Sequence, residues 1–429
     1  MGTFPRQIKF IVGNEACERF SYYGMFSILE LYLSNVMRMG GDKGTQVLHL
    51  FGTAVYFLPL LGGWLADRFL GRYWTILSLS VFYCLGHGAL ALFEGNLSGI
   101  YVGLALIAIG AGGIKPCVSA FVGDQFPEDD DDKLRKVYGL FYWSINIGAF
   151  FGFLLIPWVR DRAGYSWAFA VPGIFMALAT VIFWLGRHDY TIKPAARSVN
   201  TETRRIDWPI LRRIALIFLP IPIFWALFNQ IHSTWVLQGT KMTPFSVLGF
   251  KIDAERIQST GALLVLIWVP ILTLGVYPLV ERLGLRATPL RRMGVGMFLG
   301  AVSFVACGAI QSNIDKGQTL SLAWQIVPYI ILEAGEVMLS ATALEFAFSQ
   351  APASLKSTIM SLWLMTIAGG HFLVAAFTNL NSRFVHARGA SEFLFYSILM
   401  FVVAAVFVWI ASRYRGHAPA VTAATQAPA

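Results

Sequence analysis

Asn14-Glu15-Ala16-Cys17-Glu18-Arg19-Phe20-Ser21-Tyr22-Tyr23-Gly24 sets two acids and an arginine inside a stretch that is otherwise apolar enough to cross a lipid bilayer. An ionised side chain at the centre of a membrane helix costs about 2.5 to 3.5 kcal/mol on insertion scales. Glu15, Glu18 and Arg19 must therefore neutralise one another or line water. Glu15 and Arg19 are four apart, so they share a helical face with the acid on the favourable N-terminal side, and Glu18 sits beside them. Tyr22 and Tyr23 continue that face. Two readings fit: a charge cluster that fixes helix packing, or a proton-labile switch that also touches solute. Intramembrane ionisable groups point by default to the second.

Working outward, the chain of 429 residues is 56% hydrophobic and 13% charged, with a mean hydropathy of +0.61, more apolar side chain than soluble cores can hide. It reads as a polytopic membrane protein. Apolar stretches of about 20 residues predict twelve spans, at about 10–36, 46–66, 74–94, 99–122, 137–159, 166–186, 210–238, 255–281, 288–311, 320–349, 355–380 and 391–413. No room is left for a soluble domain, and long apolar runs exclude an outer-membrane barrel. Met1 to Lys9 is too short and polar for a cleavable signal peptide, so the first span is expected to stay in place. With the N-terminus inside, cytoplasmic segments hold 21 Lys and Arg and the opposite side holds 10, which places both termini in the cytoplasm. The two remaining, Arg19 and Lys115, lie deep in the membrane. The net charge of +9 is thus a topology signal, and no nucleic-acid partner is expected. Cys17, Cys84, Cys117 and Cys307 all fall in apolar spans and read as core residues, with no disulfide or metal role.

The longest cytoplasmic connection divides the spans six and six. Residues 1–186 form an N-terminal six-helix bundle, 187–209 a basic cytoplasmic linker, 210–413 a C-terminal six-helix bundle, and 414–429 a Pro, Ala and Thr-rich tail expected to be disordered. Gly63-Trp64-Leu65-Ala66-Asp67-Arg68-Phe69-Leu70-Gly71-Arg72 resembles the loop motif of the major facilitator fold, in which an acid caps a neighbouring helix and basic residues bind it. That resemblance implies an all-α membrane protein whose twelve transmembrane helices form two bundles rocking about a central site. The acidic run Glu128 to Asp132 reads as solvated.

Several residues could meet a solute. Gly110-Ala111-Gly112-Gly113-Ile114-Lys115-Pro116 carries a buried cation on a close-packing glycine stretch, with Pro116 expected to break the helix. Lys115 calls for an anion, either a span-one glutamate or a substrate carboxylate. Tyr142 and Asn146 are four apart and form a polar face, with Ser144 nearby. In the other half Glu333, Glu336 and Ser340 share a face, Glu336 being read as the deeper acid. No basic residue lies deep in spans seven to twelve to answer it, so it is either protonated or awaits a cationic ligand. Trp225, Trp235 and Trp363 add aromatic surface, for binding, packing or interfacial anchoring.

These motifs resemble the proton-dependent oligopeptide transporter family of the major facilitator superfamily. The span-one signature Glu-x-x-Glu-Arg-Phe-x-Tyr-Tyr-Gly is matched from Glu15 to Gly24, followed in order by Gly112 to Pro116, Asp124-Gln125-Phe126, Tyr142 to Gly148, Phe224 to Phe228, Gly335-Glu336-Val337 and Leu344-Glu345-Phe346. The last two look like those of the animal intestinal and renal peptide transporters. The resemblance implies a secondary active transporter, not an enzyme. It would take up dipeptides and tripeptides with protons across a bacterial inner membrane, as a monomer without cofactor or metal. Arg19 and Lys115 would face the peptide carboxylate and Glu336 its ammonium group, and Tyr22, Tyr23, Tyr56 and Asn146 would hold the backbone. Tyr142, Trp225, Ser340 and Trp363 complete the expected wall. Glu15, Glu18, Arg19 and His49 are the expected proton-coupling residues; His49 aligns with a span-two histidine, a residue type that titrates near physiological pH. Nitrate or another small organic solute, and a non-transporting membrane receptor, are the alternatives. Four positions depart from the family pattern: Phe26 stands for a second span-one arginine, Asn229 for a span-seven acid and Gly261 for a span-eight asparagine, while Glu30 has no assigned role.

Overall fold

A computed structural model describes residues 4–126, 131–195, 208–350, 356–386 and 388–414. The first half contains α1 (Ile8–Leu31), α2 (Gly41–Phe57), α3 (Pro59–Leu65), α4 (Gly71–Leu92), α5 (Leu97–Asp124) and the long α6 (Asp131–Leu185). The second contains α7 (Trp208–Phe218), α8 (Ile221–Phe228), α9 (Thr234–Gly239), α10 (Ser259–Pro270), α11 (Tyr277–Arg282), α12 (Pro289–Asp315), α13 (Ile326–Gln350), α14 (Lys356–Leu380) and α15 (Ala390–Arg413).

Among the described residues, nine helical segments are long and apolar enough to cross a membrane. Two of them, Gly41–Leu92 and Lys136–His188, each cross twice, reversing at Gly71 and Gly164, whose φ angles of +75° and +82° disfavour a side chain. The remaining crossing is α1, which Glu15, Glu18, Arg19 and Glu30 make too polar for a purely apolar criterion. The twelve expected crossings are thus all accounted for.

Each half has its own hydrophobic core, one built from Ile8 to Tyr190 and the other from Ile214 to Ile410. The halves meet where α2 packs on α14 and α6 on α10, with Ala149, Phe153 and Ala262 forming a small shared cluster. Within the first half, α1 and α6 approach backbone to backbone. A Cβ on Gly152 would lie 2.8 Å from the Phe20 carbonyl oxygen and 2.9 Å from the Gly24 nitrogen, the close contact that small residues permit between membrane helices.

One expectation needs correction. Pro116 does not break its helix; α5 runs unbroken to Asp124. Gly112 and Gly113 press directly on Leu58 and Gly62 of the neighbouring crossing, and that packing holds the helix where proline removes a backbone hydrogen bond. Crossing seven, by contrast, is divided. A 3-10 turn at Asn229–His232 separates α8 from α9 and brings polar side chains to mid-chain. Within this all-α fold the connection after α9 carries a small hairpin, in which β1 (Phe245–Val247) pairs antiparallel with β2 (Phe250–Ile252) through a tight turn at Leu248 and Gly249, both at positive φ. Of the loop motif, Arg72 pairs with Asp124 at the end of α5 at 2.5 Å, joined by Lys193 at 3.0 Å. The tail beyond 414, most of the linker and residues 128–130 of the acidic run lie outside the described residues.

Candidate functional site

A cavity of about 210 Å³ lies between the halves. The first half contributes Tyr22, Tyr23 and Phe26 from α1, Tyr56 from α2, and Tyr142, Ile145, Asn146, Ala149 and Phe153 from α6. The second contributes Trp225 and Phe228 from α8, Asn229, Ile231 and His232 from the 3-10 turn, Gln258 and α10 residues Gly261, Ala262 and Val265, then Glu333 and Glu336 from α13 and Ile367 and His371 from α14. One wall is aromatic and hydroxyl-bearing, the other carries two carboxyl groups. Seven of the expected substrate-binding residues share this cavity: Tyr22, Tyr23, Tyr56, Tyr142, Asn146, Trp225 and Glu336.

The others sit behind its surface. Arg19 is held by Glu15 at 2.7 Å and by Glu18 at 2.9 Å, all three buried, so the span-one cluster neutralises itself. Among the described residues no hydrogen bond or ion pair joins Lys115 to a span-one glutamate. Its Nζ lies 4.1 Å above the Tyr22 ring and 4.4 Å above the Tyr56 ring, without a hydrogen-bond partner among the described residues. The negative faces of the two rings take the place of a carboxylate, and those same rings form the cavity wall. Ser340 donates to Glu336 Oε1 at 2.6 Å and so orients it, without reaching the cavity. Trp363 packs edge-on behind Trp225, with ring centroids 5.8 Å apart.

Of the two acids, Glu333 is buried, 1% exposed, whereas Glu336 is partly open. Gly261 explains the position of Glu333, since a Cβ there would come 2.5 Å from its Oε1. A glycine on α10 thus leaves the room that a carboxyl from α13 fills. Among the described residues no ion pair joins either acid to a cation.

His49 is not a lone polar residue. Its Nδ1 lies 2.9 Å from Nδ1 of His371 and its Nε2 is 2.8 Å from the Ser233 hydroxyl, both in the opposite half. His232 donates from Nδ1 to Gln258 Oε1 at 2.6 Å, and its ring lies flat against Phe153. Phe26 packs edge-on to His232 and His371, so apolar packing among imidazoles stands where a cation would in the family pattern.

At the same end of the bundle an ionic cluster ties the halves together. Arg160 pairs with Glu255 and, at 3.5 Å, with Asp253; Arg256 pairs with Asp161 and, at 2.5 Å, with Asp253. Gln258 adds a bond from Nε2 to the Ser27 carbonyl at 3.3 Å. At the opposite end Arg72 and Lys193 pair with Asp124 within the first half. Sequence reasoning did not single out His371, His232 or the ionic cluster. Their signal was present only as ionisable residues at the ends or middles of apolar spans.

Comparison with known proteins agrees with this architecture. The model of the POT family, PTR2, matches residues 73–211 and 201–394. Solute carrier family 15 member 2 of Danio rerio is 37% identical over 73% of this chain and 50% of its own length, so the chain spans about half the length of the curated relatives it matches. The crystal structure of an auto-inhibited POT family peptide transporter superposes with a TM-score of 0.88 at 36% identity, covering 96% of this chain and 98% of that one. The POT family transporter PepTSo superposes with a TM-score of 0.87 at 34% identity and the same coverage.

Proposed function

Because this chain belongs to the POT family and has its multi-pass major facilitator fold, we propose that it carries dipeptides and tripeptides together with protons by alternating access. The observation that supports this reading above others is the polarity of the cavity. Glu333 and Glu336 face it from one half without a cation, while Arg19 and Lys115 stand behind the tyrosines of the other. A short peptide presents one ammonium group and one carboxylate, and such a ligand spans these two walls. Two carboxyl groups on the wall weigh against a small inorganic anion such as nitrate, and against a receptor the paired Arg19 cluster supplies a proton switch.

The proton has a physical task. Protonation of Glu15 or Glu18 removes a competitor for the guanidinium and frees it for a peptide carboxylate, so proton and substrate bind with positive linkage. The gradient is sufficient: 100 mV is worth about 2.3 kcal/mol per charge and one pH unit about 1.4, together several-hundred-fold accumulation. Both termini face the cytoplasm of a bacterial inner membrane in this reading, which puts the clamped end outside and leaves the cavity to open inward. One chain encloses the whole cavity, in keeping with a monomeric unit.

The test is uptake of labelled dialanine into liposomes bearing the protein under an imposed inward proton gradient. Accumulation is expected that collapses with a protonophore and is competed by tripeptides. Uptake indifferent to the gradient, or none at all, would overturn the reading.

A further inference from the structure

The imidazole pair joining the two halves has a role beyond packing. We propose that His371 is the proton partner of His49, receiving a proton across the interface between the bundles and releasing it into the central cavity. This rests on the proton-coupled reading above, and it names a residue of the second half that carries the proton onward.

Four features of the geometry carry the proposal. His49 belongs to α2 and His371 to α14, so the contact of 2.9 Å between their Nδ1 atoms exists only while the halves touch. His49 is fully buried and off the cavity wall, whereas His371 lies on it. The pair is thus open to the cavity on one side only. Gly52, three residues from His49 on the same face, makes the space: a Cβ there would lie 2.5 Å from Nδ1 of His371. Finally, Ser233 closes the far side of His49 at Nε2, leaving Nδ1 to face its partner.

The proton arithmetic gives this contact a direction. An Nδ1 to Nδ1 bond needs one hydrogen between the rings, so it forms when both are neutral and becomes charge-assisted, roughly twice as strong, with one excess proton. A second excess proton puts a hydrogen on each facing nitrogen and breaks it. A single proton captured while the halves are apart therefore draws them together at this end. The proton on His49 Nδ1 then passes to His371 Nδ1, His49 keeping the hydrogen on Nε2 towards Ser233. His371 next gives its Nε2 proton to a cavity water and remains neutral, with Nδ1 donating back to His49. One proton crosses and both rings end neutral.

The surroundings oppose a second charge. Tyr56 stacks on His371 at 5.6 Å, Lys115 sits on the Tyr56 ring, and His232 lies across Phe26. Among the described residues no hydrogen bond or ion pair joins a carboxylate to the pair; Glu333 and Glu336 share the cavity wall with His371, and Glu30 accepts at 3.1 Å from Thr45, one turn before His49.

The test uses the full chain in liposomes as wild type, His371→Gln and Gly52→Ala. The ratio of gradient-driven dialanine uptake to counterflow should fall about tenfold or more in both variants, within the usual range of coupling free energies. In parallel, spin labels at Lys43→Cys and Lys241→Cys, in a background with the four native cysteines changed to alanine, report closure across the cleft that both residues line. From about pH 8 to about pH 5, the range in which histidine titrates, the short-distance population should grow in wild type and stay flat in both variants. Gly52→Ala keeps both histidines, so a flat response there assigns the effect to their contact. An unchanged uptake ratio with a wild-type pH response in His371→Gln would overturn the proposal. Absence of counterflow in wild type would overturn the peptide reading instead, with the label distances still deciding this one.

Discussion

In the first half, the intramembrane arginine is met by Glu15 and Glu18 within 3 Å, and the intramembrane lysine rests on two tyrosine rings. In the second half, Glu333 and Glu336 sit in a comparable environment with a serine hydroxyl as the one polar side-chain contact between them, and no cation among the described residues. Burying an ion costs several kcal/mol unless a partner compensates. The first half has met that cost internally, and in the proposed reading the second leaves it for the ammonium group of a peptide. The proposed transport cycle uses this difference, because a ligand binds where a charge has been left without a partner.

Arg19→Ala is the strongest way to break the contrast, since it makes the first half resemble the second. Two buried acids then lose their cation, and the expected destabilisation is about 3–5 kcal/mol, read as a lowered unfolding temperature in detergent. Replacing Arg19, Glu15 and Glu18 together by Met, Gln and Gln should restore most of that stability and none of the peptide binding. If the single and triple variants unfold alike, the cluster is not an internally compensated charge set.

The second half should respond in the opposite sense. Glu336→Gln is expected to leave thermal stability unchanged or raised, while dialanine affinity falls by roughly thirtyfold, about 2 kcal/mol, the low end for truncating a buried charge pair. Glu333→Gln sharpens the comparison within that wall. Glu333 provides a place for a second cation, so lysyl-alanine should lose about tenfold more affinity than dialanine, in keeping with a charge-assisted hydrogen bond. Isothermal titration with the two peptides decides it, and equal losses would return Glu333 to a structural role.

Ser340→Ala is the smallest intervention. It removes the hydroxyl that orients Glu336 and should cost about 1 kcal/mol, a several-fold weaker dialanine affinity with unchanged side-chain preference. A loss as large as that of Glu336→Gln would mean that the serine itself meets the peptide.

Much of this molecule could be read before any coordinates. The acids and arginine of residues 14–24 identified a helix that is in the membrane yet not of it, and that helix is the crossing which fails an apolar criterion in the structure. Hydropathy is a local property, as is the four-residue spacing that put Glu15 and Arg19 on one face and Glu336 beside Ser340. The motifs, with the family resemblance they carry, located seven of the expected binding residues on the cavity wall. The unbroken helix at Pro116 was not legible, because proline's effect depends on what packs against it.

By itself, then, the sequence determined the crossings, their division into halves, and which side chains are too polar to lie idle in lipid, since chain-local spacing and solvation cost decide those. Only the tertiary structure decided how those side chains are shared out. Lys115 found rings and no carboxylate, Glu333 filled the space left by Gly261, and His49 met His371 from 322 positions away. These pairings depend on how whole helices approach one another. Such approach is set by the small residues and volumes of both surfaces at once, and no window along a single chain contains both.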